Sequence, residues 1–260
     1  MARVQPKRQQ TAARGRASPP QSPGGPGSLA AIHEDVIACE RCPRLRRYCA
    51  EVAVTKRRAY RDSEYWGRPV PGFGDPRTRL WVVGLAPAAH GGNRTGRVFT
   101  GDSSGDWLFR ALHGAGFARV PHSIGRDDGQ ELRGAYVSAV ARCAPPANKP
   151  RPAELAHCRP FLERELGALA QLRIVVPLGK IAFDAVLRLL EDSGYAVPRP
   201  RPRFGHSARC HLGPVAGSQR RPLVILASYH PSRQNTQTGK LTRPMLDGIF
   251  ATVREMLSES

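Results

Sequence analysis

Long apolar segments are missing from this sequence. No stretch approaches the roughly 18–20 consecutive apolar residues that span a membrane, and residues 1–28 contain no apolar core of a secretory signal. Acidic residues are also scarce, since 21 Asp and Glu stand against 40 Lys and Arg and give a formal charge of +19. We therefore expect a cytoplasmic protein with no membrane span. Its expected partner is a polyanion, nucleic acid before an acidic membrane surface.

Cysteine occurs six times, and nowhere in the dense run that is typical of ferredoxin electron carriers. A non-secreted chain with this content argues against a disulfide framework and favours a metal or redox site. Two pairs stand out, the C-x2-C pair of Cys39 and Cys42 and the more widely spaced Cys143 and Cys158. Four thiolates suit tetrahedral zinc or a [4Fe–4S] cluster. Spacing alone does not choose the metal, leaves the second pair open as core cysteines, and keeps Cys49 as a rival ligand.

The chain divides into a tail and one domain. Residues 1–28 are rich in Pro, Gly, Ser and Arg and nearly free of apolar side chains, which predicts a disordered basic tail. The hydrophobic content of 40% is enough for one sizeable domain over residues 29–260, and Ser28 is a candidate N-cap for its first helix. The Pro/Arg-rich segment 195–221 predicts an exposed basic loop, with Cys210 as a free thiol in it.

Four continuous apolar runs predict strands that are buried on both faces, as in a parallel sheet. They are Leu80–Leu85, Ala135–Val140, Leu172–Leu178 and Leu223–Tyr229. Helical patterns separate and follow them, at Ser104–Ala115, Ala153–Ala170, Lys180–Glu191 and Arg243–Leu257. The alternation predicts a three-layer α/β/α sandwich. Ligands of such sheets bind beyond the carboxyl ends of the strands, so we expect the chemistry in the segments that follow each strand.

The segment after the first run, Gly84–Asp102, is a long glycine-rich loop. Its glycines allow the backbone to approach a ligand closely, but the loop matches neither the Walker lysine pattern nor G-x-G-x-x-G. Phe99 offers a flat face for a base, or else packs in the core. Asp102 is an acid available for chemistry, or else the N-cap of the next helix.

Polar residues also follow two of the other runs. Asn148 lies among prolines, which stiffen the segment after the second run and predict a defined place for its amide. His230 ends the fourth run, directly before Pro231 and a polar, basic loop. A histidine in that position favours a functional role over a structural one.

Three segments carry longer motifs, GLAPAAHGGNRTGRVFTGDSSG, RCAPPANKP and HPSRQNTQTG. Together with the four cysteines they resemble the type-five uracil-DNA glycosylases, in the same order over roughly residues 30–257. The resemblance implies an α/β/α sandwich with a central four-stranded parallel sheet. It also implies a structural [4Fe–4S] cluster, held by Cys39, Cys42, Cys143 and Cys158.

The activity that the resemblance implies is hydrolysis of the N-glycosidic bond of deaminated bases in DNA, usually double-stranded. The expected bases are uracil, hypoxanthine and ethenocytosine. A base must leave the stack before it can be attacked, and Phe99 would then stack on it. A neutral His230 would donate to the base as negative charge grows there. The Arg233–Lys240 loop would enter the minor groove.

The resemblance therefore assigns three sets of residues. The implied catalytic residues are Asp102, Asn148 and His230; the implied base-binding residues are Gly84, Leu85, Ala86, His90, Phe99 and Asn148; the implied DNA contacts are Arg94, Ser232, Arg233, Gln234 and Asn235.

The first motif departs from that of the wider superfamily, which carries an acid or amide that positions the attacking water. Leu85 and Ala86 occupy the corresponding positions, as is typical of type five. Asp102 becomes the leading candidate for that role, and Asn148 is the alternative. A third possibility needs no base, because an anionic leaving group and the DNA phosphates stabilise the sugar cation.

A different class of protein fits the same charge and cysteines. It is a zinc-stabilised nucleic-acid-binding protein without catalysis, and it leaves unexplained why Phe99, Asp102, Asn148 and His230 all follow predicted strands. A monomer is the default expectation for either class.

Overall fold

The four apolar runs form the centre of one β-sheet. A computed structural model describes residues 27–259, so most of the predicted tail, residues 1–26, lies outside the described residues, as does Ser260. The strands are β1 (Phe73–Gly74), β2 (Leu80–Gly84), β3 (Ala135–Ala139), β4 (Ile174–Pro177), β5 (Arg209–Leu212) and β6 (Leu223–Leu226). Their order across the sheet is β1-β3-β2-β4-β6-β5.

The four central strands are parallel neighbours, with β2 between β3 and β4, and β6 beyond β4. Every residue of β2, β3 and β4 is buried. Helices cover both faces of such a sheet, which explains why the strands are continuously apolar and do not alternate. The predicted α/β class is confirmed.

The predicted four-stranded sheet is incomplete, because the described sheet is mixed and has six strands. The additional strands β1 and β5 lie antiparallel at its two edges. With two residues, β1 is too short to leave a sequence pattern. The prediction of an exposed loop over 195–221 is wrong where β5 lies, since this strand directs the Cys210 thiol into the core. That thiol is free, as predicted.

Helices pack on both faces of the sheet. Within residues 27–259 they are α1 (Leu29–Ile37), α2 (Pro43–Thr55), α3 (Gly92–Thr95), α4 (Ser103–Gly114), α5 (Pro152–Ala168), α6 (Lys180–Asp192), α7 (Arg233–Gln237) and α8 (Arg243–Ser258), with 3₁₀ turns at Arg58–Tyr60 and Pro146–Asn148. None of these helices is both long and apolar enough to cross a membrane.

Alternate residues of β2 show the three layers. Trp81 and Val83 pack in one core with residues of α1, α5 and α6. Leu80 and Val82 face the opposite core, which α4 and α8 cover. The sheet therefore lies between two helical layers, and the carboxyl ends of its parallel strands open at one edge.

Local signals start several helices. The side chains of Ser28, Asp102 and Thr242 each accept a hydrogen bond from the backbone N–H three residues further on. The cap expected at Ser28 is thus confirmed. Helix α2 is absent from the sequence-based prediction and begins at Pro43, the first-turn position that proline favours.

Burial of α8 against the sheet gives a direct test of the fold. Val253 on this helix is 0% exposed, whereas Val54 on α2 is 82% exposed. Because a buried methylene contributes about 0.8 kcal/mol and a cavity adds to the loss, Val253→Ala should lower the free energy of unfolding by about 2 kcal/mol. The same change at Val54 should alter it by less than about 0.5 kcal/mol. Chemical denaturation of both variants measures this, and equal losses would contradict the packing.

Candidate active site

The carboxyl ends of the parallel strands bring four chain segments together. Gly84 at the end of β2 accepts a hydrogen bond from the Val140 backbone N–H at 2.9 Å. Gly179, just after β4, donates to the Ser228 carbonyl beyond β6 at 2.8 Å. The segments that follow β2, β3, β4 and β6 therefore lie at one edge, as the sequence predicts.

The loop after β2 folds back so that Phe99 lies on Gly84. A Cβ added to Gly84 would lie 2.5 Å from the Cζ atom of Phe99, so the ring fills the space of the missing side chain. The Phe99 backbone is left-handed, with φ of 50°. Its ring centroid lies 5.9 Å from that of His230. The structure thus joins Gly84, Phe99 and His230, and it also places Phe99 in the core.

A buried polar network, absent from the sequence-based predictions, holds this loop. The Arg97 guanidinium forms an ion pair with Asp128 and donates to Ser123 and Thr100. Thr100 and Ser123 also hydrogen-bond each other through their hydroxyls, 2.7 Å apart. Asp128 is 31 residues from its partner and no local pattern links the two. Arg97 therefore stabilises the loop whose backbone is strained at Phe99.

Asp102 is the N-cap of α4 and is also close to the glycine-rich loop. Its Oδ1 accepts from the Gly105 backbone N–H at 3.0 Å. Its carboxylate also packs against Gly91, where a Cβ would collide with Oδ2. Burial raises the pKa of Asp102, and the helix N–H groups oppose that rise. Oδ1 thus caps the helix, and Oδ2 lies against the glycine-rich loop at Gly91.

His230 directly follows the β6 segment and is half-buried. Its Cβ lies against Gly179, where an added Cβ would be 3.2 Å away, and its carbonyl accepts from the Asn235 amide at 2.8 Å. Burial lowers the pKa of His230 to about 4. The imidazole is therefore neutral at pH 7 and carries a single N–H donor.

Two further loop residues are already engaged. Tyr65 hydrogen-bonds His90 Nδ1 through its hydroxyl at 3.0 Å, a contact that the sequence does not signal. The Arg94 guanidinium donates to the carbonyls of His90 and Gly101, at 2.9 and 3.0 Å. Arg94, predicted to contact DNA, thus also braces the loop. The Leu85 carbonyl accepts from the Ala141 backbone N–H just beyond β3, at 2.8 Å, and Leu85, like Ala86, is half-buried.

Asn148 is exposed at the end of the 3₁₀ turn after β3. Its φ of 56° is left-handed, a conformation that Asn tolerates better than most residues. Its side-chain amide makes no hydrogen bond within residues 27–259. The structure does not bring Asn148 into contact with Phe99 or His230, so its expected role stays a prediction.

The segment after His230 contains helix α7 as well as loop. Ser232 caps this helix by accepting from the Asn235 backbone N–H at 3.4 Å. Arg233 and Gln234 are exposed on its first turn. The four predicted DNA contacts of this segment therefore lie around one short helix beside His230.

The cysteines of the two pairs lie close enough to influence one another. Burial first, and then the neighbouring Cys158, Glu154 and Cys39, raise the pKa of the Cys42 thiol to about 11. A hydrogen bond with Cys49 is the first cause that raises the pKa of Cys143, followed by burial. Cys49, the rival ligand, therefore contacts one of the four predicted ligands.

Within residues 27–259, no three His, Cys, Asp or Glu side chains converge on a point where a single metal ion could bind. Cys158 acts electrostatically on the pKa values of Cys42 and Cys143, and Cys39 acts on that of Cys158. The four predicted ligands are therefore neighbours in the fold.

A buried ion pair adjoins the cysteines. The Arg142 guanidinium is 1% exposed and donates to Glu165 at 2.6 Å, and Tyr136 and Ser138 donate to the same carboxylate. Its Nε and Nη1 are buried without a hydrogen-bond partner. The backbone N–H of Arg142 hydrogen-bonds Cys158, whose pKa burial raises and the Arg142 charge lowers. A cationic group with unused donors next to Cys158 fits an anionic cluster at the cysteines.

Comparison with known proteins agrees with this geometry. The model of the uracil DNA glycosylase superfamily matches residues 71–254. A type-5 uracil-DNA glycosylase of Mycobacterium tuberculosis is 47% identical over 234 residues, which cover 90% of this chain and 83% of the relative. The chain belongs to the uracil-DNA glycosylase superfamily, type 5.

Two other type-5 relatives support the assignment. The protein of Thermus thermophilus is 48% identical over 87% of this chain and 97% of the relative. That of Pyrobaculum aerophilum is 44% identical over 80% and 84%. The resemblance found in the sequence motifs is confirmed, and so is the prediction of an enzyme of the DNA glycosylase class. That membership argues against a binding protein without catalysis.

Gly84→Ala should displace Phe99, since the new Cβ would lie 2.5 Å from its ring. Stacking on an aromatic ring contributes about 1–3 kcal/mol per base, so we expect the single-turnover rate of base release to fall about tenfold. Affinity for undamaged duplex DNA should stay unchanged. The control is Gly167→Ala on α5, where nothing lies within 4 Å of the new Cβ. A wild-type rate for Gly84→Ala would refute the role of the Phe99 ring.

The pKa of His230 predicts how stability depends on pH. Between its ordinary pKa of 6.5 and about 4, the unfolded chain binds a proton that the folded protein does not. The free energy of unfolding should therefore fall as pH drops through this window, and less steeply in His230→Gln. An NMR titration of the imidazole checks the cause directly. A pKa near 6.5 in the folded protein would show that the surroundings of the ring do not lower its pKa.

Proposed function

We propose that this protein hydrolyses the N-glycosidic bond of uracil in DNA and leaves an abasic site. The observation that carries the proposal is the joining of Gly84, Phe99 and a neutral His230 at the carboxyl edge of the sheet. The names of the type-5 relatives support the substrate.

The base pocket follows from these three residues. A uracil flipped out of the duplex stacks on the Phe99 ring, and the stacking offsets part of the few kcal/mol needed to unstack it. Backbone amides of the loop from Gly84 to His90 read the edge of the base, as does the amide of Asn148. The left-handed turn at Asn148 presents its side chain to solvent, where a ligand can reach it.

His230 stabilises the leaving group. As the glycosidic bond breaks, negative charge grows on the uracil carbonyl, and the neutral imidazole donates its N–H to that oxygen. The low pKa keeps the His230 ring uncharged over the working pH range. A positioned donor of this kind contributes about 3–4 kcal/mol to the barrier.

Asp102 positions the attacking water. Leu85 and Ala86 have no polar side-chain atom, so the first motif supplies no group for this task. The Asp102 carboxylate accepts from the α4 N-terminus through one oxygen and leaves the other near Gly91 in the site loop. That second oxygen accepts a hydrogen bond from water and directs the water at the sugar.

Cys39, Cys42, Cys143 and Cys158 would hold a [4Fe–4S] cluster. When bound, the cluster would link α2, α5 and the segment after β3 to one another. It would take no part in hydrolysis. Arg142, which adjoins Cys158 and has two buried donors without a partner, would supply positive charge beside the cluster. Since Cys143 lies five residues before Asn148, the cysteines brace the turn that carries the base-reading amide.

The finer properties are part of the same proposal. The substrate is double-stranded DNA, with the α7 region from Ser232 to Asn235 in the minor groove. A pocket built on stacking accepts hypoxanthine and ethenocytosine besides uracil. The protein acts as a monomer in the cytoplasm.

Excision assays on a duplex with one uracil, followed by alkaline cleavage of abasic sites, test the chemistry. Asp102→Asn keeps the helix cap, because Asn caps as well as Asp, yet it should lower the single-turnover rate about a hundredfold. The matched control is Asp106→Asn on the same helix. His230→Ala should lower the rate by about 10²–10³. Both variants should bind the duplex normally.

Wild-type rates in Asp102→Asn would remove Asp102 from the mechanism, and a loss of affinity alone in His230→Ala would do the same for His230. If the wild-type protein binds the duplex but releases no uracil, the proposed function is wrong. Iron and sulfide analysis of the purified protein tests the cluster, and stoichiometric zinc without iron would contradict it.

A further inference from the structure

A basic surface borders the base pocket on the side away from α7. We propose that Arg57, Arg68, Arg126 and the ring of Trp66 form a second contact surface for the phosphate backbone of DNA. This rests on the proposed function, because DNA is the partner. We call these three arginines and Trp66 the Trp66 surface.

The segment that carries this surface is attached to the site loop. The backbone N–H groups of Trp66 and Gly67 donate to the carbonyls of Arg94 and Asn93, at 2.9 and 3.0 Å. Gly96 packs directly on the Trp66 ring, where a Cβ would lie 2.9 Å from Cδ2. The surface is therefore fixed relative to the loop that bears Phe99.

Strand order places this surface opposite α7. The Val70 backbone N–H, a few residues after Trp66, donates to the carbonyl of Arg142 just beyond β3, at 2.7 Å. Helix α7 follows β6, and β3 and β6 lie on opposite sides of β2 in the sheet. A DNA strand that places one nucleotide in the pocket after β2 must continue past it in both directions. The Trp66 surface and α7 lie where the two flanks of the strand would run.

The charges of the surface are exposed and not neutralised. Arg57, Arg68 and Arg126 are exposed, and none forms an ion pair with a carboxylate of residues 27–259. After burial, the charge on Arg57 contributes to lowering the pKa of His90, so Arg57 lies within electrostatic range of the loop after β2. Three exposed cations without a carboxylate partner in the described residues attract phosphates.

Aromatic contacts position two of the guanidinium groups. The Cζ atoms of Arg68 and Arg126 lie 4.0 and 4.4 Å from the centroid of the Trp66 ring. The indole itself is held, since Nε1 donates to the Pro69 carbonyl at 3.0 Å. Guanidinium groups held on a ring lose less entropy on binding, and their planar donors match phosphate oxygens. This favours a fixed backbone contact over diffuse attraction.

The test is the salt dependence of binding to undamaged duplex DNA. Arg57→Gln/Arg68→Gln/Arg126→Gln should weaken binding at least about tenfold at low salt. Each lost phosphate contact should reduce the slope of log K against log salt by about 0.9, so by up to about 2.7 in total. Thermal unfolding of the triple variant should match wild type, and its single-turnover excision at saturating enzyme should be retained.

The control removes the same charge elsewhere. Arg77 and Arg133 are exposed just before β2 and β3, at the amino ends of the strands and so away from the site. Arg188 is exposed on α6. The triple change of these arginines to Gln should weaken binding less than about twofold. Equal losses in the two triple variants would overturn the proposal, because net charge alone would then explain binding.

Two outcomes separate this proposal from the proposed function. Wild-type excision of uracil with equal losses in both triple variants leaves the function standing and removes the surface. No excision and no DNA binding by the wild-type protein refutes the function. Binding of a poly-glutamate peptide as tight as DNA, and lost in the same triple variant, would assign the surface to an acidic protein and overturn the DNA contact.

Discussion

The packing of the Phe99 ring on the bare backbone of Gly84 is the contact on which the rest of the site depends. The ring occupies the space that a side chain at residue 84 would take, and this brings it to the ring of His230. Phe99 reaches that place through left-handed backbone, which is a strained conformation for an aromatic residue. The buried ion pair of Arg97 and Asp128 stabilises the loop that carries Phe99. This stabilisation offsets the strain of the left-handed backbone.

The opposite flank of the site is built around a second buried charge. The Glu165 carboxylate accepts hydrogen bonds from Tyr136, Ser138 and Arg142, and these bonds join β3 and the residues after it to α5. Breaking such a pair from one side leaves an uncompensated charge and is strongly destabilising. Arg142 also adjoins Cys158, so the same residue contacts both the buried ion pair and the cysteines. We infer that the cysteines serve architecture, while the chemistry belongs to the loops after β2 and β6.

Much of this organisation is visible in the sequence, because two-sided burial leaves continuous apolar runs and ligands lie beyond the strand ends. That reasoning finds Phe99 and His230, which the structure joins. It misses β5, whose alternating residues lie inside a Pro/Arg-rich segment, so Cys210 is buried on a strand where a loop is predicted. It also misses the partnership of Arg97 with Asp128, since contacts made by tertiary folding leave no spacing signal.

The central claim is that Phe99 and His230 form the pocket for a flipped base. The most direct measurement is a crystal structure of the protein with a duplex that holds one non-hydrolysable uracil nucleotide. We predict that the uracil ring lies on the face of Phe99, with a carbonyl oxygen within hydrogen-bond distance of the His230 imidazole. A uracil that remains stacked in the duplex, or that lies in a cavity away from both rings, would contradict the account.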